Sequence, residues 1–344
     1  MKRYKKPGDI RVGVIGYGGA FQMGKYHFED ARRVGMTPVA VAEPLRERRR
    51  AAEDEIDGIQ TFRTISDMLN KTDVNLVCVL TPHNMHARHA LQCMRAGRHV
   101  ICEKPFAITT RECDALIREA RKKDLFLTVH HNRHWDGVIV QAVKHIREKN
   151  AIGDVIRVDI RAGSYGKPGD WWRSSKSMSG GILYDWGVHL LEYALQIVDS
   201  DVVEVSGFAH HGIWNTQSKW GQDTNEDEAA ATIRLRNGTM ITLSFSALEL
   251  NPKPGNVEFT GTQGTYVLNG QTYEMIRQKG KRRIVTQGQN PPDDWTRFYQ
   301  NVTDHLINGK KLVITPEWAR RPVHIVDLAG QSAKLGRALK AKYP

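Results

Sequence analysis

The chain has 344 residues, of which 40% are hydrophobic and 26% charged, and its formal net charge at pH 7 is +12. This composition is typical of a soluble globular protein that can build two cores. No apolar run approaches the ~20 residues of a membrane-spanning helix, so we expect no membrane binding. The basic clusters at 46–50 and 279–283 are scattered and lack a nucleic-acid motif, which favours solvated surfaces, or steering of an anionic ligand, over nucleic-acid binding.

Two further features favour a cytoplasmic protein. The basic first segment, MKRYKKPGDIRVGVIG, has only a seven-residue apolar stretch and no signal-peptide cleavage site. The cysteines lack the CxxC spacing of a zinc site and are expected to be buried, reduced thiols; they are Cys78, Cys93, Cys102 and Cys113.

Up to about residue 130, short apolar runs alternate with amphipathic stretches. Five runs are rich in Val, Ile or Leu, namely IRVGVI, TPVAVA, VNLVCVL, RHVIC and LFLTVH. The segments between them, such as HARHALQCMRAG, have the periodicity of amphipathic helices. This alternation predicts βαβ units, and therefore a Rossmann domain over residues 1–130 with a parallel sheet.

Beyond about residue 150 the apolar residues alternate with period two, as in DVIRVDIRAG, VVEVSGF and TMITLSFSAL. This pattern, with the hairpin signal Asn237-Gly238, predicts an antiparallel sheet. We therefore expect an α/β protein whose second domain, over 131–344, is α+β with an open, mostly antiparallel sheet. A helix is predicted over about 316–342 and is expected to pack back on the first domain.

The glycine-rich segment VGVIGYGGAF follows the first predicted strand. Gly16, Gly18 and Gly19 allow a tight turn and close approach of a pyrophosphate, which binds amides at the N-terminus of the next helix. Ala20 and Phe21 complete the turn, and Phe21 stands where the GxGxxG pattern has its third small residue. The segment predicts a dinucleotide site, and a glycine turn without a ligand is the alternative.

An acidic residue, Glu43, ends the second predicted strand, 27 residues after Gly16. A carboxylate at this position accepts hydrogen bonds from both hydroxyls of the adenosine ribose and repels a 2′-phosphate. Arg46, three residues further on, would instead hold that phosphate. We expect NAD as the cofactor, with NADP as the less favoured alternative.

The fourth apolar run ends in TPHNMHARHA. Ligands bind at the carboxyl ends of strands in open α/β sheets, so this segment is predicted to line the cofactor cleft through Thr81, Pro82, Asn84 and His86. The histidines at 83, 86 and 89 drift around a helix, and no acid or cysteine accompanies them. We therefore expect no metal site.

Four motifs, GYGGAF, TPHNMH, GRHVICEKPF and GGILYDWGVHLLE, resemble in order and spacing the Gfo/Idh/MocA family. The family is named for glucose-fructose oxidoreductase, inositol dehydrogenase and a rhizopine catabolism protein. The resemblance covers nearly the whole chain, and its most specific parts are Glu-Lys-Pro and Asp-x-Gly-x-His. It implies a dinucleotide-binding domain, a second α/β domain with an open sheet, and oxidation or reduction of a sugar or cyclitol carbon.

The Glu-Lys-Pro match implies that Lys104 reaches the nicotinamide ribose and the reacting substrate oxygen. A cation there stabilises the negative charge that develops on that oxygen. Glu103 is expected to orient the lysine or to pack against the cofactor. The alternative is a simple ion pair at the end of a strand.

The second specific motif contains Asp185 and His189, four residues apart and followed by a helical apolar pattern. This spacing predicts that both side chains project from one face of a helix. A carboxylate beside an imidazole raises its basicity and orients it, so His189 is a candidate general base. The alternative is a helix cap and a core histidine.

Two further segments are assigned by the resemblance. In GDWWRSSKSMSGG it implies that Trp172 and Arg173 approach the cofactor or substrate. In NRHWDG, Arg133 matches the first of two adjacent arginines found in several members, and His134 replaces the second. The candidate substrate-binding residues are thus Lys104, Arg133, Trp172, Asp185 and His189.

These observations predict an NAD-dependent dehydrogenase acting on a sugar, cyclitol or related polyol. A glycosidase that oxidises its sugar transiently, eliminates the aglycone and consumes no NAD is an alternative, and a dinucleotide-sensing protein without turnover is another. The open sheet of the second domain is expected to leave an apolar face, which predicts a homodimer or homotetramer.

Overall fold

The computed structural model describes residues 3–19, 21–252 and 255–343. The chain forms two compact units, each discontinuous in sequence. The first contains the chain up to Asn132 together with Trp295–Arg320, and the second contains Arg133–Asp294 together with the chain from Arg321 onward.

The first unit is built on a six-stranded parallel sheet with strand order β3-β2-β1-β4-β5-β6. The strands are β1 (Arg11–Ile15), β2 (Thr37–Ala42), β3 (Gln60–Phe62), β4 (Leu76–Val79), β5 (His99–Cys102) and β6 (Leu127–Val129). Their order is that of a Rossmann fold, and it reverses between β1 and β4, where such folds bind dinucleotides. All five predicted strands are present, whereas β3 has only three residues and no apolar run to mark it.

Six helices accompany this sheet in the described part of the first unit. They are α1 (Met23–Arg33), α2 (Arg46–Glu55), α3 (Ile65–Lys71), α4 (His86–Arg95), α5 (Thr110–Lys122) and α9 (Thr296–Asn308). Local sequence explains their ends: Thr109 and Glu112 form a capping box at the start of α5, and Gly309, at a φ of 67°, ends α9.

The second unit is built on a nine-stranded sheet with order β14-β13-β12-β11-β7-β10-β9-β8-β15. The strands are β7 (Val155–Gly163), β8 (Val202–His210), β9 (Glu228–Leu235), β10 (Met240–Ser246), β11 (Val257–Gly261), β12 (Gly264–Asn269), β13 (Thr272–Lys279), β14 (Arg282–Gln289) and β15 (Leu339–Lys340). Among the described residues only the β7–β10 pairing is parallel, so the predicted, mostly antiparallel sheet is confirmed. The predicted hairpin at Asn237-Gly238 joins β9 to β10.

The helices of the second unit are α6 (Gly137–Val143), which continues into a π-helical turn at Lys144–Glu148, α7 (Lys176–Ser179), α8 (Gly187–Ile197) and most of α10 (Pro316–Leu335). The prediction of a helix to about residue 342 is wrong at its C-terminal end. Gly336 has a φ of 61°, which ends the helix, and Leu339 and Lys340 then pair with β8. None of the helices in the described ranges is both long enough and apolar enough to cross a membrane.

One face of the nine-stranded sheet packs against α8, all of whose residues are buried. The opposite face is mostly polar, which contradicts the prediction of an apolar face. On it Arg157 Nε donates to Asp159 at 2.7 Å, Thr242 donates to the same carboxylate at 2.7 Å, and Arg161 pairs with Glu258 at 3.5 Å. Exposed apolar side chains such as Phe208 and Val285 lie among these polar residues.

Candidate active site

The glycine turn follows β1 at the switch point of the first unit. Gly16, Gly18 and Gly19 have φ angles of 89°, 83° and 83°, a region that L side chains rarely adopt. A Cβ on Gly16 would also lie 3.2 Å from the carbonyl oxygen of Leu80. The turn therefore needs glycine for its conformation and for close approach of the chain after β4.

The start of α1 shows how the fold accommodates Phe21. Ala20 lies outside the described residues, and Phe21 is exposed after it. The close contact between the helix and the strand end is made at Gly24, where a Cβ would clash with the ring of Tyr17. The third small residue thus stands three positions later than in the GxGxxG pattern, and Gly24 was missed because the pattern was read in its usual register.

Glu43 is buried at the end of β2 and accepts hydrogen bonds from two main-chain amides. Its Oε2 accepts from Tyr17 N–H at 2.9 Å, and its Oε1 accepts from Leu45 N–H at 3.0 Å. A carboxylate has about four lone-pair sites, so each oxygen keeps acceptor capacity for a ribose hydroxyl. Glu43 therefore also holds the glycine turn and the start of α2 together.

Arginines of α2 approach the same turn. Arg46 begins the helix and is exposed, whereas the side chain of Arg48 lies along the turn, with its Cγ 3.5 Å from the position a Cβ on Gly18 would take. Arg48 was missed because the run of arginines at 46–50 does not reveal which of them faces the glycines. It is the better placed of the two for an anionic group at this position.

The segment after β4 contains two buried polar side chains, His86 and Asn84, whose surroundings differ. His86 is buried, and its ring nitrogens lie 2.8 Å from the carbonyl oxygen of Thr81 and 2.7 Å from that of Pro105. Burial lowers the pKa of His86 despite these contacts. Asn84 differs, because its buried Oδ1 has no hydrogen-bond partner among the residues that the structure describes. His86 thus braces the segment, while the buried Asn84 Oδ1 keeps its acceptor capacity for a ligand.

Glu103 and Lys104 follow β5, as predicted. Glu103 N–H donates to Val79 O at 3.0 Å, and the carboxylate turns back so that Oε2 accepts from Lys104 N–H at 3.0 Å. Oε1 lies 2.6 Å from His130 Nδ1 and 2.9 Å from His27 Nε2. Burial alone would raise the pKa of Glu103, but the charge and hydrogen bond of His130, together with His27, hold it well below its usual range.

In the second unit Asp185 lies in the turn before α8, because the helix begins at Gly187. The prediction that Asp185 and His189 project from one face of a helix is therefore wrong for Asp185. Its Oδ1 accepts from Arg173 Nη1 at 2.6 Å. The Arg173 guanidinium lies 5.3 Å from the ring of Trp171 and 5.1 Å from that of Trp172. Arg173 thus joins Asp185 to two aromatic faces.

His189 lies in the first turn of α8 and is buried, with its ring 5.8 Å from that of Trp186. Trp186 is partly exposed and carries the Arg133 guanidinium 4.6 Å from its ring. Arg133 also donates to Asp136 Oδ2 at 3.0 Å. The structure therefore brings His189, Trp186 and Arg133 into one cluster.

Glu192 is a residue that the sequence did not single out, and it pairs with His134. His134 Nδ1 lies 2.5 Å from Glu192 Oε1, and Glu192 Oε2 accepts from Gln196 Nε2 at 2.9 Å. Glu192 is buried one turn after His189 on α8. The sequence alone could not predict this pair, because an acidic residue inside an apolar helix does not indicate that its partner is His134, 58 residues away.

Comparison with known proteins identifies both parts of the chain. Residues 10–131 match the model of an oxidoreductase family with an NAD-binding Rossmann fold, named GFO_IDH_MocA. Residues 140–267 match the C-terminal domain model of the same family.

Among curated proteins the chain is similar to scyllo-inositol 2-dehydrogenase (NADP(+)) IolW of Bacillus subtilis, with 26% identity over 100% of this chain and 99% of the relative. It is also similar to D-glucoside 3-dehydrogenase of Escherichia coli, with 27% identity over 76% and 77%. Among solved structures, an NAD-binding protein from Listeria innocua is 26% identical, with a TM-score of 0.79 over 97% of each chain.

Proposed function

Because this chain belongs to the Gfo/Idh/MocA family of oxidoreductases, we propose that it oxidises a secondary hydroxyl of a sugar, cyclitol or related polyol with NAD. One observation carries the proposal: Lys104 follows β5 at the carboxyl edge of a sheet whose first strand ends in the Gly16–Gly19 turn. The relatives named for inositol and glucoside oxidation support the substrate class.

The residues at this edge fit a dinucleotide. The Gly16–Gly19 turn offers a cradle that side chains would fill, and Asn84 offers a buried oxygen that has no partner in the described ranges. We propose that the turn holds the pyrophosphate and that Glu43 accepts hydrogen bonds from the adenosine ribose. When bound, the nicotinamide ring accepts the hydride.

The remaining chemistry is assigned to three side chains. His189 accepts the proton of the substrate hydroxyl. Lys104 places its ammonium near that oxygen and stabilises the negative charge that develops there. Asp185 orients Arg173 through the hydrogen bond between them. Arg133 and Trp172 contact the substrate.

Single-turnover hydride transfer, followed by absorbance of the reduced nicotinamide in NAD-saturated enzyme, tests the assignment. The substrate is found first by screening sugars, inositols and sugar acids. Lys104→Ala is expected to slow hydride transfer by ~100-fold or more, with a far smaller change in NAD affinity. His189→Ala should also be slow, and its residual rate should rise with pH as hydroxide replaces the missing base.

If folded Lys104→Ala and His189→Ala both transfer hydride at the parent rate, the assignment is wrong. Release of an aglycone without net NADH formation would instead identify a redox-neutral glycosidase. The absence of any turnover, with NAD still bound, would identify a sensing protein.

A further inference from the structure

A buried polar network lies behind the turn that carries Lys104, and the proposed reaction does not use it. It consists of His27 on α1, Cys78 on β4, Glu103 after β5, His130 after β6 and Tyr299 on α9. None of these residues is more than 9% exposed. Four elements of the first unit thus contribute a polar side chain to a network around the carboxylate of Glu103.

The distances between heavy atoms define the hydrogen bonds of this network. Glu103 Oε1 is shared by His130 Nδ1 at 2.6 Å and His27 Nε2 at 2.9 Å, so both nitrogens carry a hydrogen. On its other side, His27 Nδ1 lies 2.5 Å from Tyr299 Oη, which in turn lies 3.5 Å from Cys78 Sγ. A neutral His27 accepts at Nδ1 from the Tyr299 hydroxyl, whereas a protonated His27 donates to the Tyr299 oxygen. The carboxylate is therefore held by donors from α1 and from the end of β6.

The remaining oxygen of Glu103 contacts the main chain of Lys104. Oε2 accepts from Lys104 N–H at 3.0 Å, so the amide of the candidate catalytic residue is bonded to the same carboxylate. A fixed carboxylate fixes that amide, and the Lys104 side chain starts from the adjoining Cα. The chain of contacts thus runs from His27 and His130 through Glu103 to Lys104.

Stability alone does not account for such a network. Removing an ion from water is costly, and replacement of buried ionic groups by well-packed apolar residues is often neutral or stabilising. The surrounding positions already contain large apolar side chains, since Phe298 packs edge-on against His130 with ring centroids 4.7 Å apart. A buried carboxylate at this point therefore calls for a role in the site.

We propose that His27 and His130 are positioning residues, which through Glu103 hold the main chain of Lys104 in the orientation that hydride transfer requires. This inference rests on the proposed function of Lys104. Tyr299 forms its hydrogen bond to the other ring nitrogen of His27.

His27, Glu103 and His130 are also a set of metal-ligand types, the one such group among the described residues. Their spacing suits hydrogen bonds better. Zn–N bonds of ~2.0–2.1 Å at tetrahedral angles would separate the ligand atoms by roughly 3.3 Å, which exceeds both distances to Glu103 Oε1. We therefore assign a hydrogen-bonded network, and metal content is one outcome of the test.

The experiment compares two substitutions at each histidine. His27→Phe and His130→Phe keep a ring and remove the donor to Glu103. His27→Gln and His130→Asn replace Nε2 and Nδ1, respectively, by an amide nitrogen that can donate in nearly the same place. The Phe variants are expected to slow single-turnover hydride transfer by about 10–100-fold, with NAD affinity changed less than about threefold, and the amide variants should recover most of the rate.

The matched control is His99→Phe, which removes another buried histidine of the first unit that hydrogen-bonds the amide of Phe126 and not Glu103. Its rate of hydride transfer should equal that of the parent, even if its unfolding temperature falls. Tyr299→Phe should lower the rate less than His27→Phe. Melting curves and NAD binding establish that each variant is folded.

Three results would overturn the inference. The first is a parent-like rate in folded His27→Phe and His130→Phe while Lys104→Ala is inactive, which leaves the proposed function intact. The second is a rate loss that the amide variants do not recover. The third is one equivalent of bound metal in the parent that His27→Phe lacks. If Lys104→Ala itself retains the parent rate, the proposed function has failed, and the positioning role fails with it.

Discussion

Arg48 and Glu43 place opposite charges beside the same glycine turn. Glu43 favours a cofactor with a free ribose 2′-hydroxyl, whereas a guanidinium along Gly18 can hold a 2′-phosphate. Because Glu43 is buried between the turn and α2, its position is fixed by the fold, while the longer Arg48 side chain can rearrange. The carboxylate is therefore the stronger determinant, and we propose NAD.

Titration with NAD and NADP tests this preference. We expect NAD to bind more tightly to the parent protein. Arg48→Ala should weaken NADP binding by about tenfold and NAD binding much less, because it removes a cation that only the extra phosphate needs. Arg46→Ala is the matched control and should change neither. Equal or tighter binding of NADP by the parent would contradict the argument from Glu43.

Asp185 is the second residue whose surroundings define its role. Its bond to Arg173 is a charge-assisted hydrogen bond of 2.6 Å, and Arg173 also packs on two tryptophans. Asp185→Asn should lower the turnover number by roughly tenfold, less than His189→Ala does, since the amide keeps the size but loses the charge. Steady-state kinetics of Asp185→Asn beside Arg173→Lys measures this. Unchanged turnover in Asp185→Asn would make the pair purely structural.

At the level of elements, strand β5 begins with a histidine whose lowered pKa makes the stability of the folded protein depend on pH. His99 opens the strand, and its Nδ1 accepts a hydrogen bond from Phe126 N–H at 3.1 Å. Burial lowers the pKa of His99 to about 4. Because protonation of Nδ1 would remove the acceptor, the folded protein holds this ring neutral where the unfolded chain, with a pKa near 6.5, binds a proton.

The sign of the pH dependence follows. The contribution of neutral His99 to stability is fully present above pH ~6.5 and is lost as the pH falls towards 4, on the order of 1–3 kcal/mol in total. His99→Asn keeps an acceptor near Nδ1 without titrating. Urea unfolding at pH 7, 5.5 and 4.5 should show a smaller loss in this variant than in the parent. Equal losses would show that His99 does not titrate in this range.

At the level of the whole molecule, the outer face of the nine-stranded sheet bears on assembly. Paired charges such as Arg161–Glu258 cover much of it, so an apolar surface that must be buried is no longer the reason to expect oligomers. Exposed apolar side chains also lie on that face, among them Phe208 at 66%, Val285 at 46% and Met240 at 39%. We propose that a second copy of the chain covers the face through both kinds of contact, giving a homodimer or homotetramer.

Light scattering at micromolar concentration measures the assembly. We expect two or four times the mass of the chain for the parent. Phe208→Glu should shift the protein towards monomer, because a buried, unpaired carboxylate is costly in an interface. Leu250→Glu changes an exposed apolar side chain of the same unit that lies outside the strands, and it should not shift the mass. A monomeric parent would contradict the proposal.

Local sequence determined the fold class and much of the first unit's binding edge. Apolar runs such as VNLVCVL become buried strands because a strand covered on both faces needs continuous apolar residues. The glycines at 16, 18 and 19 were identifiable because only glycine adopts their φ angles readily. The placement of Lys104 after β5 followed from the length of the preceding run.

Tertiary structure alone decided which side chains meet. Tyr299 contacts His27, which is 272 residues away in the sequence. Asp185 lies outside the helix that carries His189 and accepts a hydrogen bond from Arg173. The third small residue of the glycine turn is Gly24, because the ring of Tyr17 occupies the space that a side chain there would need. The hydrophobic periodicity of the sequence predicts which face of a helix or strand is buried, because that face is formed by residues a few positions apart. The partner of a buried polar group lies on another element, and its identity depends on how the elements pack.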